Sequence, residues 1–402
     1  MSARQPIVVA GSGPCGSVLA LRLAQHGIPV IVLEKHPSLP RDLRASTFHP
    51  PSLEMLDELG IAQPMIRQGL VVDRYQYRDR RSGEVAEFRM DLIAGETAFP
   101  FRLQLEQYEM THIANARLRE FAHAQVLFQH EVVGAEQQGD SVAVAVRTPQ
   151  GEKTFTTPFL IGADGAGSQV RKAAGIGFGG FTYDEKFLVV STPFAFEDVF
   201  ENLSYVNYVS DPQEWCVILR TEKIWRVLFP VFPKSAEEEA QVLSDAHIQA
   251  RLQHLYAKDG AYEIGHRTLY KVHQRVSETY VKGRIALAGD ACHINNPLGG
   301  MGMNGGIHDA HNLAGKLIEI LRDGADPAAR LAHYDRQRRE LAVRFVQEHT
   351  INNKKLMEST DPDVQAKRQK MLMETAADPA RAKAFVLERA MINCVRDSLA
   401  AA

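Results

Sequence analysis

Gly289-Asp290-Ala291-Cys292-His293-Ile294-Asn295-Asn296-Pro297-Leu298-Gly299-Gly300-Met301-Gly302-Met303-Asn304-Gly305-Gly306-Ile307-His308-Asp309-Ala310-His311-Asn312-Leu313 is the stretch from which the rest of the chain can be read. Ahead of it, Arg284-Ile285-Ala286-Leu287-Ala288 is an apolar run of strand length. Behind it, apolar residues fall at 310, 313, 314, 317, 318 and 321, a helical period. The pattern predicts a strand, a long glycine-rich turn and a helix whose regular period begins at Ala310. Glycines at 299, 300, 302, 305 and 306 remove side chains where backbone has to come close to something. The bare N–H groups that open the helix favour a negatively charged partner. Asp290, at the strand's end, is placed to accept hydrogen bonds from a hydroxyl-rich ligand. A merely flexible glycine loop does not usually join so periodic a strand and helix.

The same design stands at the N-terminus. Ile7-Val8-Val9-Ala10 has the composition of a buried parallel strand and runs into Gly11-Ser12-Gly13-Pro14-Cys15-Gly16. An amphipathic helix follows, with Val18, Leu19, Leu21, Leu23 and Ala24, ending near Gly27. Val30-Ile31-Val32-Leu33 is the next strand and closes on Glu34-Lys35. A glycine turn between two strands and a helix, with an acid about 20 residues on, is the dinucleotide fingerprint in its proper setting. Gly11, Gly13 and Gly16 allow the tight turn and the approach of a pyrophosphate, while Glu34 meets ribose hydroxyls, which suits FAD or NAD. Cys15 occupies a variable position of the turn and reads as small packing. Phe159-Leu160-Ile161-Gly162-Ala163-Asp164-Gly165 repeats the order of strand, acid and glycine.

Between these landmarks, Arg44 leads into an amphipathic helix from about Ser52 to Leu59; alone it reads either as a surface charge or as a phosphate ligand. Residues 70–100 suggest a short antiparallel excursion. Gln107 opens a helix through Leu118, and strand-like segments follow at 125–133, 141–147 and 153–156. From Gly179 to Tyr280 the chain is aromatic-rich and alternating, with one helical insert near 235–256, which predicts an antiparallel sheet carrying an apolar pocket. Arg220 and Arg226 are the charges that stand out there. They are six apart, so on one regular strand both would point to one face. After 313 the chain reads as helical, broken at Asp361-Pro362 and Asp378-Pro379.

The chain has 402 residues, enough for two or three domains, and an ordinary globular composition. A net charge of −3 gives no electrostatic case for nucleic acid or an anionic membrane. Four widely spaced cysteines show no metal-ligand pattern and fit a reducing cytoplasm. No apolar run is long enough to span a bilayer, so stable membrane insertion is not expected. The oligomeric state is left open between monomer and homodimer.

Three separated motifs together resemble the group A flavoprotein monooxygenases, the para-hydroxybenzoate hydroxylase family, over roughly residues 5–340. Gly11, Gly13, Gly16 and Glu34 match the family's ADP-binding fingerprint, with Pro14, Cys15 and Lys35 alongside. Arg44 matches the segment whose arginine contacts the cofactor, and Gln107 the glutamine that opens a Q-x-E-x-T motif. Asp164-Gly165 matches the D-G motif, tied to FAD and nicotinamide use. Gly289-Asp290 matches the G-D motif, whose acid binds the ribitol. Pro297 through Gly306, with Gly300, Gly302, Met303 and Asn304, matches the loop beside the flavin ring. Tyr334 and Arg338 match the family's Y-x-x-x-R, without the proline that often follows. Trp225-Arg226-Val227-Leu228-Phe229-Pro230 lacks the flavin-halogenase motif.

The resemblance implies an α/β fold. A Rossmann-like FAD-binding domain (1–72, 101–180 and 276–345) would carry an inserted antiparallel-sheet substrate domain (73–100 and 181–275) and a helical C-terminal segment (346–402). It implies FAD as tightly bound cofactor, NADH or NADPH and O2 as co-substrates, and hydroxylation of a small phenolic or hydroxy-heteroaromatic substrate through a C4a-hydroperoxyflavin. Pro297 would sit at the flavin. Arg220 would hold an acidic or strongly hydrogen-bonding substrate, and Arg226 would tune flavin reduction. His49, His266, His273 and His293 are candidates only by type for the base that activates a phenol. The competing reading is a reductase of the same fold that reduces an alkene without inserting oxygen.

Overall fold

The computed structural model describes residues 5–41, 43–359 and 361–401, and of residues 345–347, 349, 353 and 356 the backbone alone. Its centre is a six-stranded sheet in the order Val281–Lys282, Ile285–Leu287, Leu160–Gly162, Ile7–Ala10, Val30–Glu34, Ala124–Phe128. Neighbours run parallel except in the hairpin at 281–287. Every residue of Ile7–Ala10 is buried, as strands covered on both faces require. Ala10 lies beside Gly162, and Gly162 beside Leu287. The turns that leave these three strands therefore open on one edge of the sheet, where ligands of open α/β folds bind.

The helices Pro14–Gln25 and Met301–Asp323 pack on each other. Together with the sheet they bury Val9, Leu19, Ile161, Leu287, Leu313 and Leu317 in one core. The second helix begins well before Ala310. Met301 opens it, and Gly302, Met303, Asn304, Gly305 and Gly306 form its first turns. Glycine weakens a helix by about 1 kcal/mol per residue, so the sequence reads as loop. Here close packing overrides propensity, because a Cβ on Gly306 would come within 2.5 Å of the Cys15 sulfur.

A second sheet has eight strands in the order His293–Ile294, His266–Ser277, Phe178–Thr192, Trp225–Val231, Cys216–Arg220, Val206–Ser210, Arg74–Asp79, Val85–Arg89. Only Val206–Ser210 and Arg74–Asp79 are parallel neighbours. Period-2 alternation divides its residues between two cores. One face carries Trp225, Val227 and Phe229 towards the helix Asp245–Leu255. The other carries Tyr75, Phe187, Tyr208 and Val217 towards Leu298 and the C-terminal helices. The segment expected as one strand over 125–133 is two, Ala124–Phe128 in the parallel sheet and Glu131–Gln138 in a three-stranded antiparallel ribbon.

The tail is helical, as its proline breaks imply. Asp361 and Asp378 cap the helices Pro362–Ala377 and Pro379–Arg389, each accepting backbone N–H bonds ahead of a first-turn proline. Among the described residues no helix is long and apolar enough to cross a membrane.

Candidate active site

In the first turn the glycines differ in what demands them. Gly11 has φ 97°, and a Cβ there would lie 2.4 Å from the Ala163 carbonyl oxygen; one on Gly16 would lie 2.0 Å from the Gly11 carbonyl oxygen. These two are required by the chain itself. A Cβ on Gly13 would meet nothing within 4 Å, so space for a ligand stands beside the turn. The helix then opens at Pro14 with no side-chain cap and no acid in its first turn, leaving its positive end bare. Glu34 is buried and accepts the Ser12 N–H at 2.9 Å and the His36 N–H at 3.0 Å. Its carboxylate keeps lone pairs for ribose hydroxyls. Lys35 is exposed beside it. The Cys15 thiol lies against Gly289 and Gly306, and burial pushes its pKa well up, which makes it packing rather than a redox group.

The other two turns each present an acid. Asp164 Oδ2 accepts the N–H groups of Gln169 (2.7 Å) and Val170 (3.2 Å), whereas Oδ1 is buried without a hydrogen-bond partner among the described residues. Asp290 is reached by solvent in a crevice deep enough that burial raises its pKa, while His293 and Arg44 pull it back. Arg44 is exposed on the rim of this crevice. Gln107 is half-buried, its N–H bonded to Ala45 at 3.0 Å.

The glycine loop closes the same crevice. Pro297 is exposed, and its carbonyl accepts from Gly300, whose φ of 67° is a conformation glycine supplies without strain. Gly302 would bring a Cβ to 3.2 Å from Asn295 Oδ1, and Met303 is half-buried. The Asn304 side chain is taken up by the chain: it accepts the His49 N–H at 2.9 Å and donates to Thr47 and Gly300 carbonyls at 2.8 and 2.7 Å. His293 belongs to a clamp. It meets Asp309 at 2.7 Å, Arg338 reaches the other Asp309 oxygen at 2.7 Å, and Tyr334 bonds the Leu287 carbonyl at 2.6 Å. Burial alone would raise the Asp309 pKa, but Arg338 and His293 outweigh it and hold the carboxylate ionised.

The two arginines do not share a face. Arg220 ends the strand Cys216–Arg220 and pairs across a hairpin with Trp225, whereas Arg226 pairs with Leu219. The turn between them reverses the chain, so counting in twos along one strand fails. Arg220 lies 3.7 Å from Glu197 and over the Trp225 ring, on the face turned away from Leu298. Its role as substrate anchor is withdrawn on this geometry. Arg226 is 2% exposed, bonds the Arg44 carbonyl at 2.8 Å and pairs with Glu106 at 2.5 Å. Sequence reading passed over Glu106, whose only signal is its place just before Gln107.

A family model described as an FAD binding domain matches residues 4–349. The chain belongs to this family. It is 31% identical to para-nitrophenol 4-monooxygenase of a Pseudomonas species over 96% of each chain. It is 29% identical to 6-hydroxy-3-succinoylpyridine 3-monooxygenase of Pseudomonas putida over 81% of this chain and 82% of that one. The crystal structure of p-nitrophenol 4-monooxygenase from Pseudomonas putida superposes with TM-score 0.89 at 28% identity, over 96% of this chain and 98% of the other. The motif resemblance to the group A flavoprotein monooxygenases therefore stands, and the cofactor of this flavoprotein is FAD.

The crevice fits that cofactor. The open space at Gly13, the bare helix end at Pro14, the unpartnered Asp164 oxygen and the accessible Asp290 lie along the one sheet edge, as a long ligand with phosphates and hydroxyls requires. Two of the candidate bases, His49 and His293, are sealed against the glycine loop, and His293 is already taken up by Asp309. His49 is fully buried, with Nε2 donating to the Gly299 carbonyl at 2.9 Å and Nδ1 bare. Burial, with Arg102 nearby, lowers its pKa to about 3, so it is neutral at neutral pH. His273 bonds Thr182 at 2.9 Å, and His266 opens the strand His266–Ser277; both are half-buried.

Proposed function

We propose that the protein is an FAD-dependent, NAD(P)H-consuming monooxygenase that hydroxylates a small aromatic ring, phenolic or hydroxy-heteroaromatic. The observation that carries this reading is the aromatic face of the second sheet. Tyr75, Tyr77 and Tyr208 pack towards Leu298, the residue after Pro297 in the cofactor loop. On this reading segments 1–72, 101–180 and 276–345 hold the cofactor, 73–100 and 181–275 cover its ring, and 346–402 closes the side.

When bound, FAD accepts a hydride from NADH or NADPH and, once reduced, activates dioxygen for transfer to an electron-rich ring. The chain supplies binding, charge and dryness. The helix end at Pro14 and Gly13 would receive the pyrophosphate, Glu34 the ribose, and Asp290 with Arg44 the ribityl region. The positive end of Met301–Asp323, with no acid in its first turn, would favour negative charge on a flavin ring held there. Pro297, exposed in the glycine loop, would lie beside the ring. Arg226, joined to the Arg44 carbonyl, links the covering sheet to the cofactor segment and is placed to tune reduction. The buried sheet face excludes water. Free thiols, three of the four buried, agree with a cytoplasmic setting.

Screening phenols, hydroxybenzoates and hydroxypyridines for stimulated NAD(P)H oxidation identifies a substrate, and turnover under 18O2 then decides the reaction. One labelled oxygen in the product is expected. Oxygen-independent turnover without label would establish the reductase instead.

A further inference from the structure

With Arg220 turned away from Leu298, other cations lie nearer the aromatic sheet face. A space of about 60 Å³ lies between the aromatic sheet face, Leu298 and the tail, lined by Tyr77, Tyr208, Phe385, Met357, Arg368 and Arg389 among others. Two guanidinium groups, Arg368 and Arg389, line it, and a third, Arg102, stands outside the lining against the Arg389 carbonyl. Arg102, 2% exposed, lies 4.0 Å over the Tyr75 ring and reaches the Arg389 carbonyl at 3.5 Å. Arg389 lies 5.0 Å from the Phe385 ring. Arg368 is 7% exposed on the helix Pro362–Ala377. Arg102 Nε and Arg389 Nη1 are buried without hydrogen-bond partners among the described residues.

Buried cationic donors left unsatisfied cost several kcal/mol, and a cluster of like charges compounds the cost. An anion arriving between them would relieve both, and a guanidinium fork fits a carboxylate with two hydrogen bonds. The surrounding rings suit an aromatic body: Tyr77 stacks on Tyr208 at 4.8 Å and Phe88 on Phe385 at 4.3 Å. The space is smaller than one ring needs, but Met357 and Met371 in its walls are unbranched and re-pack readily.

We propose that this chamber takes an aromatic substrate bearing a carboxylate, and that Arg389, with Arg368 and Arg102, is its counter-charge. The specificity element is then the C-terminal tail, beyond the residues 4–349 matched by the family model. The proposal rests on the monooxygenase reading for the ring's fate, but not for its binding.

The test is equilibrium binding to the FAD-loaded protein, followed by the flavin absorbance change. Two probes of one shape are used, 4-hydroxybenzoate and its neutral amide, 4-hydroxybenzamide. Wild type is expected to bind the acid at least about tenfold tighter than the amide. Arg389→Gln should bring the acid to the amide's affinity and leave the amide unchanged. Arg389→Lys should restore part of the preference, and Arg220→Gln should keep all of it. FAD content and circular dichroism report folding. Equal binding of the two probes by wild type, or of neither, overturns the proposal, as does a preference that survives in both Arg389→Gln and Arg368→Gln. A missing 18O label with the preference intact would instead count against the oxygenase reading alone.

Discussion

At the residue scale, two side chains near the cofactor crevice make separate predictions. Asp290 is exposed in the crevice and its carboxylate bonds no core group among the described residues, so Asp290→Ala should leave the fold intact and weaken FAD. The loss of charged hydrogen bonds to hydroxyls is about 1.5–3 kcal/mol, or about 10- to 100-fold in affinity. Fluorescence titration of apoprotein with FAD measures it, and unchanged affinity would make the residue structural only. His49 predicts a pH effect. Its folded pKa is about 3, below the ordinary histidine value of 6.5. The unfolded chain therefore binds the proton first, and stability is lost as pH falls from about 6.5 towards 3, by an amount on the order of a few kcal/mol. Buried His308, also depressed, acts in the same direction. His49→Gln, which retains a donor for Gly299, should flatten the fall in Tm between pH 7 and pH 4. A slope equal to wild type would show that His49 does not carry this term.

At the element scale, the strand Trp225–Val231 is joined to the start of the helix Gln107–Leu118 by the Arg226–Glu106 pair. Burial raises the Glu106 pKa and Arg226 pulls it down. Arg226→Ala would strand a buried carboxylate at a cost of about 3–5 kcal/mol, whereas Arg226→Ala with Glu106→Gln should recover part of it. Denaturant unfolding gives the stability difference. Stopped-flow mixing with NAD(P)H should show slower flavin reduction in the single variant while substrate binding is nearly kept. The same elements show what local sequence can carry. Ile7–Ala10, Val30–Glu34 and Ile285–Leu287 were legible because buried parallel strands are unbroken apolar runs with glycine or acid at their ends. The helix from Met301 was hidden because its first turns are glycine-rich for packing against Cys15 and His293. Arg220 and Arg226 were misplaced because a turn between them undoes the period. Arg102 and Arg389 carry no motif, and only the fold brings residues so far apart in sequence together.

At the scale of the whole molecule, the tail meets the cofactor core at one small place, where Met301 and Leu341 pack with Met391 and Cys394 and Gln337 bonds the Ser398 carbonyl, and spends most of its apolar side chains elsewhere. Among the described residues the core around the parallel sheet draws on none later than Ala342, while the core under the aromatic sheet face is completed by Met357, Leu372, Ala382, Val386 and Ile392. Loss of a tail side chain should therefore leave FAD binding intact and open the chamber to water. Phe385 is the choice, since it stacks on Phe88 and meets Tyr77 at 6.1 Å. Phe385→Ala removes a half-buried ring and should cost about 2–3 kcal/mol, below the 3–5 of a fully buried one. Reduced flavin exposed to water spends oxygen as hydrogen peroxide rather than on the ring. The variant should retain its FAD and consume NAD(P)H with substrate present, while a larger share of the electrons appears as peroxide than in wild type. Simultaneous measurement of NAD(P)H, peroxide and hydroxylated product decides it. Loss of FAD would show that the two cores are one cooperative unit, and wild-type coupling would place the tail outside the wall that keeps the ring dry.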